Sequence, residues 1–195
     1  MSEAQSDLVA WYKLETEFFH DHLRHTKYVG KAKNRDEKVK EDWTNCGELG
    51  RGGFGVVHKQ VQGTTGHYRA VKTINKRLYP GADYSRELLV MAILAKVCGL
   101  TPTQFAVVYN SSGVFLLSNN LLFQRPSLFI EFLGWYEEPE ALYIAMEYLE
   151  GGDLTKHTGT PLPQETVKNV SKQILEGLKV MHQHGIAHRD LKPAV

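Results

Sequence analysis

The chain has 195 residues, of which 42% are hydrophobic and 23% are charged, and its formal net charge is +1. Such a composition is typical of one globular domain of ordinary size, or of one and a part, and the near-neutral charge gives no reason to expect a nucleic-acid or membrane partner. The two cysteines, Cys46 and Cys98, lie far apart in the sequence, which argues against a disulfide scaffold or a zinc site. Because the sequence shows no signal peptide and no apolar membrane span, we expect a protein of the cytoplasm or nucleus.

Residues 1–42 are predicted to form a helix followed by a basic linker. Apolar residues recur at roughly helical spacing between Ser6 and His25, namely Leu8, Trp11, Tyr12, Phe18, Phe19 and Leu23. The histidines of this stretch do not share one helical face, so a solvated surface is favoured over a metal site for His20, His22 and His25. The polar, basic stretch from Lys27 to Lys40 is typical of a linker.

From Trp43 onward the pattern changes to short strands separated by turns. Gly47 to Lys59, a glycine-bounded turn and the apolar run Tyr68 to Ile74 predict a hairpin and a third strand. The later elements are predicted as a helix over Tyr84 to Val97, strands over Leu128 to Tyr136 and Ala141 to Tyr148, and an amphipathic helix over Thr166 to His182.

A glycine-rich loop begins at Gly50 and fits the pattern G-x-G-x-x-G-x-V, with Gly52, Gly55 and Val57 at the other fixed positions. Glycines let the backbone turn tightly and approach phosphate groups with its N–H donors. A dinucleotide-binding turn requires a helix directly after the last glycine. Because strand-forming residues follow Gly55 instead, the loop is predicted to cover phosphates as a hairpin.

Three further motifs follow this loop in order. They are Ala70-Val71-Lys72, Met146-Glu147-Tyr148-Leu149 and His188-Arg189-Asp190-Leu191-Lys192-Pro193. Together with the loop they resemble the motifs of eukaryotic protein kinases. Lys192 favours the serine/threonine type, and Glu131 to His157 resembles fungal kinases of the calmodulin-dependent-kinase-like group.

The resemblance covers Trp43 to Ala194 and implies an α+β, protein-kinase-like fold. We expect an N-lobe with an antiparallel sheet and one helix, called αC in the family, plus only the start of the helical C-lobe. On this interpretation residues 43–195 are an incomplete protein kinase domain.

The resemblance also implies an ATP site. Lys72 would neutralise phosphate charge under the glycine loop, and Glu87 on the following helix would hold it. The residues implied around the adenine and ribose are Val57 and Ala70 above the purine, Met146 as gatekeeper, the Glu147 carbonyl and Leu149 amide at the adenine edge, and Asp153 near the ribose.

The catalytic loop of the family is matched only in part. By resemblance Asp190 would orient the attacking hydroxyl and Lys192 would contact the γ-phosphate. Val195 stands where the family has a metal-binding Asn, and no D-F-G motif occurs in the 195 residues. We therefore expect a protein substrate, ATP and Mg²⁺ with an incomplete Mg²⁺ site, and an inactive fragment. The alternative is a non-catalytic, kinase-derived module that binds nucleotide or a protein partner.

One segment departs from the family pattern. Cys98 to Gln124 holds 27 residues without one charge, where about six would be expected from the composition. A functional insertion and a membrane-touching loop are possible interpretations, and a translated intron is favoured. Val97 and Val195 are each encoded by GTN, which can carry a splice donor, so one cause would explain both the insertion and the missing Asn.

Overall fold

The computed structural model describes residues 1–29, 37–53, 55–78, 80–81, 83–97, 128–157 and 159–193. The uncharged segment Cys98 to Gln124 and residue Val195 lie outside the described residues, and the retained-intron hypothesis stays a prediction. The described chain divides into two compact units. The first contains the residues up to Val97 together with Ile130–Gly151, and the second contains residues 128–129 and those from Gly152 onward.

The first unit is built on one seven-stranded sheet with two helices. The elements in chain order are α1 (Glu3–Trp11), β1 (Glu15–Phe18), β2 (Leu23–Val29), β3 (Glu37–Gly52), β4 (Gly55–Gln62), β5 (Tyr68–Asn75), α2 (Ser85–Val97), β6 (Phe132–Glu138) and β7 (Ala141–Glu147). The strand order is β1-β2-β3-β4-β5-β7-β6 and every neighbouring pair is antiparallel. The antiparallel sheet and the helix α2 confirm the predicted α+β, kinase-like fold.

The second unit contains a short 3-10 helix (Leu154–His157) and the helix α3 (Gln164–Gln183). Pro163 precedes α3 as its N-cap, where its missing N–H costs no hydrogen bond. Gly177 and Met181 are the buried residues of α3, which confirms the predicted amphipathic helix. In the described part of the chain no helix is long and apolar enough to span a membrane.

The prediction of one helix from Ser6 to His25 is wrong beyond Trp11. Helix α1 ends there, and the chain continues as the hairpin β1–β2, in which Glu15 pairs with Thr26 and Phe18 with Leu23. The apolar spacing fits a helix, but alternate residues of β2 (Leu23 and His25) are the buried ones, as a strand requires. Pairing with distant strands therefore overrides the local pattern.

The predicted linker and the predicted surface histidines also need correction. Residues 27–29 belong to β2 and pair with residues 37–39 of β3, so the described parts of the stretch Lys27 to Lys40 are strand. His25 is 0% exposed, because it lies on the inner face of the sheet, where its ring contacts that of Tyr136 edge-on. No group of three potential ligands for a metal occurs among the described residues.

The sheet is closed by residues at the end of α1. Lys13 forms a parallel bridge with Trp135 of β6, in which the Leu14 N–H donates to the Trp135 carbonyl (2.8 Å) and the Trp135 N–H to the Tyr12 carbonyl (3.0 Å). β6 is the last strand in the sheet order, and Lys13 leads directly into β1, which is the first. The bridge therefore pairs the backbone N–H and carbonyl of Trp135 at the outer edge of β6, where they would otherwise have no strand partner.

The two faces of the sheet carry separate cores. On one face Val9 and Tyr12 of the α1 segment are in one buried cluster with α2 and the sheet. On the other face the cluster consists of Leu23, Trp43, Val71, Tyr136 and Ala145.

The second face also holds buried polar groups. Arg69 is 2% exposed, and its guanidinium donates twice to the Gln60 side-chain oxygen (2.9 and 2.7 Å) and lies 4.0 Å from the Trp43 ring centroid. Burial lowers the pKa of Arg69 to about 10, so the group stays charged at neutral pH.

Candidate functional site

The glycine-rich loop is the turn between β3 and β4. Gly50 pairs with Val57, and Gly52 pairs with Gly55. A Cβ atom at Gly50 or Gly52 would meet no atom within 4 Å, so the tip of this hairpin leaves open space for a ligand. A Cβ atom at Gly55 would overlap the Thr73 carbonyl oxygen, and Gly55 has a φ of +156°. Glycine is thus required at this position by the approach of β5.

We expect Gly55→Ala to destabilise the first unit by about 1–3 kcal/mol, because the new methyl group would push β4 off β5 and the backbone angle would be strained. Gly52→Ala is the matched control in the same loop, and it should change the free energy of unfolding by less than about 0.5 kcal/mol. Urea unfolding followed by circular dichroism measures both. Equal losses in the two variants would contradict the assigned contact.

Lys72 and Glu87 form an ion pair. The Lys72 Nζ lies 2.6 Å from the Glu87 Oε1, and the two side chains are 25% and 40% exposed. An ion pair this exposed contributes little to the stability of the fold. Its main effect is to hold the Lys72 ammonium group in a fixed position. The structure brings together the two residues that the sequence predicted as partners.

The strand register places the other predicted residues beside this pair. Val57 faces Lys72 across β4 and β5, and Ala70 faces Met146 across β5 and β7. Ala70 and Lys72 are two positions apart on β5, so all four side chains point to the same face of the sheet. Val57 lies two positions after Gly55 on β4, so this face continues from the turn of the glycine hairpin.

The end of β7 contains the segment predicted to contact adenine. The Glu147 N–H donates to the Glu131 carbonyl (3.0 Å), and the Glu147 Oε1 accepts from the Glu131 N–H (2.7 Å). Burial raises the pKa of the Glu131 carboxyl group, and the charge of Glu147 adds to this shift. Leu149, which follows the strand, is 50% exposed.

The predicted catalytic loop lies in the second unit. The Lys192 Nζ is 2.6 Å from the Asp190 Oδ2, and both side chains are exposed. Arg189 has a φ of +65°, a left-handed conformation that costs a non-glycine residue roughly 1–3 kcal/mol and that concentrates at functional sites. The Leu154 N–H donates to the Pro193 carbonyl (3.0 Å), which ties this loop to the 3-10 helix.

Asp153 also belongs to the second unit. Its Oδ1 accepts hydrogen bonds from the Thr155 hydroxyl and from the Thr155 N–H (3.0 Å). The Thr155 hydroxyl is the main cause that lowers the pKa of Asp153, so its carboxylate is an anionic acceptor at neutral pH. The predicted residues therefore fall into two groups, one per unit, with Asp153, Asp190 and Lys192 in the second.

The sequence did not predict that residues at the end of α1 and on β6 pack against α2. Trp135 donates its indole N–H to the Val9 carbonyl (2.8 Å), and the Tyr12 ring lies 4.9 Å from that of Phe132. The one sequence signal is Gly134 next to Trp135. Its φ is +131°, and a Cβ atom there would lie 2.7 Å from the Tyr12 carbonyl oxygen.

Comparisons with known proteins point to one family. Residues 122–194 match the protein kinase domain. The chain is 31% identical over 149 residues to the serine/threonine-protein kinase RAD53 of Saccharomyces cerevisiae, covering 74% of this chain and 14% of that protein. It is also 31% identical over 174 residues to calcium-dependent protein kinase 9 of Arabidopsis thaliana, covering 86% and 27%.

A solved structure agrees with these relatives. The crystal structure of Rad53 residues 1–466 in complex with AMP-PNP matches with a TM-score of 0.54 and 29% identity, over 78% of this chain and 33% of that chain. The chain spans well under half the length of these relatives, between 14% and 33%. The motifs, the fold and these matches together show that the chain belongs to the protein kinase family.

Proposed function

We propose that the first unit binds ATP and that the chain is part of a serine/threonine kinase, which transfers the γ-phosphate of ATP to a protein hydroxyl group. The observation that carries this proposal is the Lys72–Glu87 ion pair at 2.6 Å, on the sheet face that continues from the glycine hairpin. A fixed ammonium group beside a glycine hairpin that leaves open space around Gly50 and Gly52 suits a polyphosphate anion. The related Rad53 structure contains AMP-PNP, which supports the same ligand class.

The remaining roles are those that the resemblance to protein kinases implies. Gly50, Gly52 and Gly55 would present backbone N–H groups to the phosphates. Val57, Ala70 and Met146 would contact the purine, because they share the face that carries Lys72. The Glu147 carbonyl and the Leu149 amide would bond the adenine edge, and Asp153 would accept a ribose hydroxyl.

The catalytic group of this proposal is Asp190, which would accept the proton of the substrate hydroxyl while Lys192 contacts the γ-phosphate. Mg²⁺ supplies charge neutralisation in this family. The described residues contain no group of three potential ligands, and no D-F-G motif occurs in the 195 residues. These residues do not suffice for a Mg²⁺ site, so we assign none.

We expect Lys72→Ala to weaken ATP binding about tenfold or more, because a charge-assisted hydrogen bond to a phosphate is lost. Lys40→Ala is the charge-matched control, since Lys40 lies on β3 at the end opposite Gly50. Isothermal titration with ATP measures both, and equal affinities in the two variants would contradict the proposed site.

For a polypeptide of these 195 residues we propose nucleotide binding without phosphoryl transfer. The observation that favours this second, non-catalytic function is Val195, which stands where the family has the metal-binding Asn. ATP turnover by the purified chain that is lost in Asp190→Ala would overturn it. Transcripts that encode Asn directly after Ala194, followed by D-F-G, would favour the catalytic kinase.

A further inference from the structure

The residues around the end of α1 join the β6 edge of the sheet to α2. We call residues 9–14 the N-terminal latch. It holds β6 through the two backbone hydrogen bonds of the Lys13–Trp135 bridge and through the Trp135 indole bond to the Val9 carbonyl (2.8 Å). Lys13 adds an ion pair with Glu137 (2.8 Å).

The same latch packs against α2. Val9 and Tyr12 are 6% and 4% exposed and belong to one buried cluster with Leu88, Ala92 and Ala95 of α2. The helices α1 and α2 are in contact. These three α2 residues recur at the spacing of one helical face, so the latch covers the face of α2 through which the helix is anchored.

Glu87 directly precedes one of the anchored residues. Leu88 is 4% exposed inside the cluster, whereas Glu87 is on the side of α2 that reaches Lys72. A rotation or displacement of α2 that moves Leu88 must therefore also move the Glu87 carboxylate.

We propose that Tyr12 and Trp135 are positioning residues for the Lys72–Glu87 pair. Trp135 fixes the latch to β6, Tyr12 packs against Phe132 and the α2 cluster, and α2 then carries Glu87 to Lys72. The latch thus couples residues 9–14 to the candidate phosphate site. The functional meaning of this coupling rests on the proposed ATP site, whereas the coupling itself is a property of the protein without nucleotide.

The test is the reactivity of the Lys72 amine toward an acylating reagent, measured by mass spectrometry on the chain without nucleotide. In Tyr12→Ala we expect the rate of acylation at Lys72 to rise about fivefold or more, because an amine released from its carboxylate is more accessible to the reagent. Tyr12→Phe keeps the ring and should give a rate closer to that of the wild type than Tyr12→Ala does. Trp11→Ala is the matched control, since Trp11 is on the same helix but 66% exposed; it should change the rate by less than about twofold.

A general loosening of the fold is separated from positioning by a double-mutant cycle. If Tyr12 acts through Glu87, the Tyr12→Ala change should add nothing to the rate already reached in Glu87→Ala. Additive effects, or an unchanged rate in Tyr12→Ala, would overturn the proposal. Trp135→Phe removes the indole N–H together with part of the ring and serves as a milder variant should Tyr12→Ala fail to fold. An unchanged Lys72 rate in that variant would count against the latch in the same way.

The outcome is independent of the ATP proposal. ATP protection of Lys72 against acylation tests the nucleotide site, and the rate without ATP tests the latch. If ATP protects Lys72 but Tyr12→Ala does not change the rate without ATP, only the latch proposal is contradicted. If Tyr12→Ala raises the rate but ATP does not protect Lys72, only the proposed nucleotide site is contradicted.

Discussion

Lowering the pH from about 7 to about 5 is expected to reduce the free energy of unfolding of the first unit by about 2 kcal/mol through one side chain, His25. His25 is 0% exposed. Its ring meets that of Tyr136 edge-on at 4.9 Å, and its Nδ1 lies 2.9 Å from the Thr16 hydroxyl oxygen. Burial lowers the pKa of His25 from 6.5 to about 2, and the charges of Arg69 and Lys27 add to the shift.

Stability falls at low pH because the unfolded state takes up a proton at His25 at a higher pH than the folded state does. Below pH 6.5 the unfolded chain binds a proton at His25, whereas the folded chain leaves the ring neutral until about pH 2. The unfolded state therefore gains about 1.4 kcal/mol for each pH unit below 6.5. Stability from this group is present above pH 6.5 and is lost as the pH falls.

Urea unfolding at pH 7 and at about pH 5 measures this loss. His25→Phe keeps a ring beside Tyr136 but has no titrating group, so it should remove most of the loss. His20→Gln changes an exposed histidine and should leave the loss unchanged. The opposing effect of Glu131, whose pKa burial raises, is common to all three proteins and cancels in the comparison. A loss in His25→Phe as large as in the wild type would contradict the assignment.

Residues that sit close together in a motif were predictable. The spacing of the glycines, with Val57 after them, predicted a hairpin because a strand rather than a helix follows Gly55. Lys72 and Glu87 could be paired in advance because the resemblance to protein kinases implies this pair, and the structure brings the two side chains together. A local sequence pattern predicts the helix or strand that it forms and the contact of that element with the next one along the chain.

Residues whose surroundings come from distant parts of the chain were not predictable. Leu23 pairs with Trp43 of β3, and the ring of the buried His25 meets that of Tyr136 of β6 edge-on. Nothing between Ser6 and His25 reports these partners, so the helical spacing was the strongest local signal and it gave the wrong element after Trp11. Arg69 is a similar case, since its burial depends on Gln60 and on the Trp43 ring.

The largest effect of a single substitution is expected for Tyr136→Ala, at about 3–5 kcal/mol of destabilisation. Tyr136 is 1% exposed and stacks on Tyr143 at 4.8 Å with an angle of 8°. The rings of His25 and Phe18 lie 4.9 and 5.9 Å away. Both are on the hairpin β1–β2, so Tyr136 joins this hairpin to the opposite end of the strand order.

Tyr28→Ala is the matched control for this prediction. Tyr28 is also on the hairpin but 47% exposed, and its hydroxyl donates to Glu15 (3.1 Å), so its removal should cost less than about 1 kcal/mol. Thermal unfolding ranks the two variants. Hydrogen exchange then locates the damage: in Tyr136→Ala the amides of β1 and β2 should lose protection before those of β4 and β5, because the central strands keep both neighbours. Uniform loss of protection across the sheet would show that Tyr136 supports the whole core and does not specifically hold the hairpin.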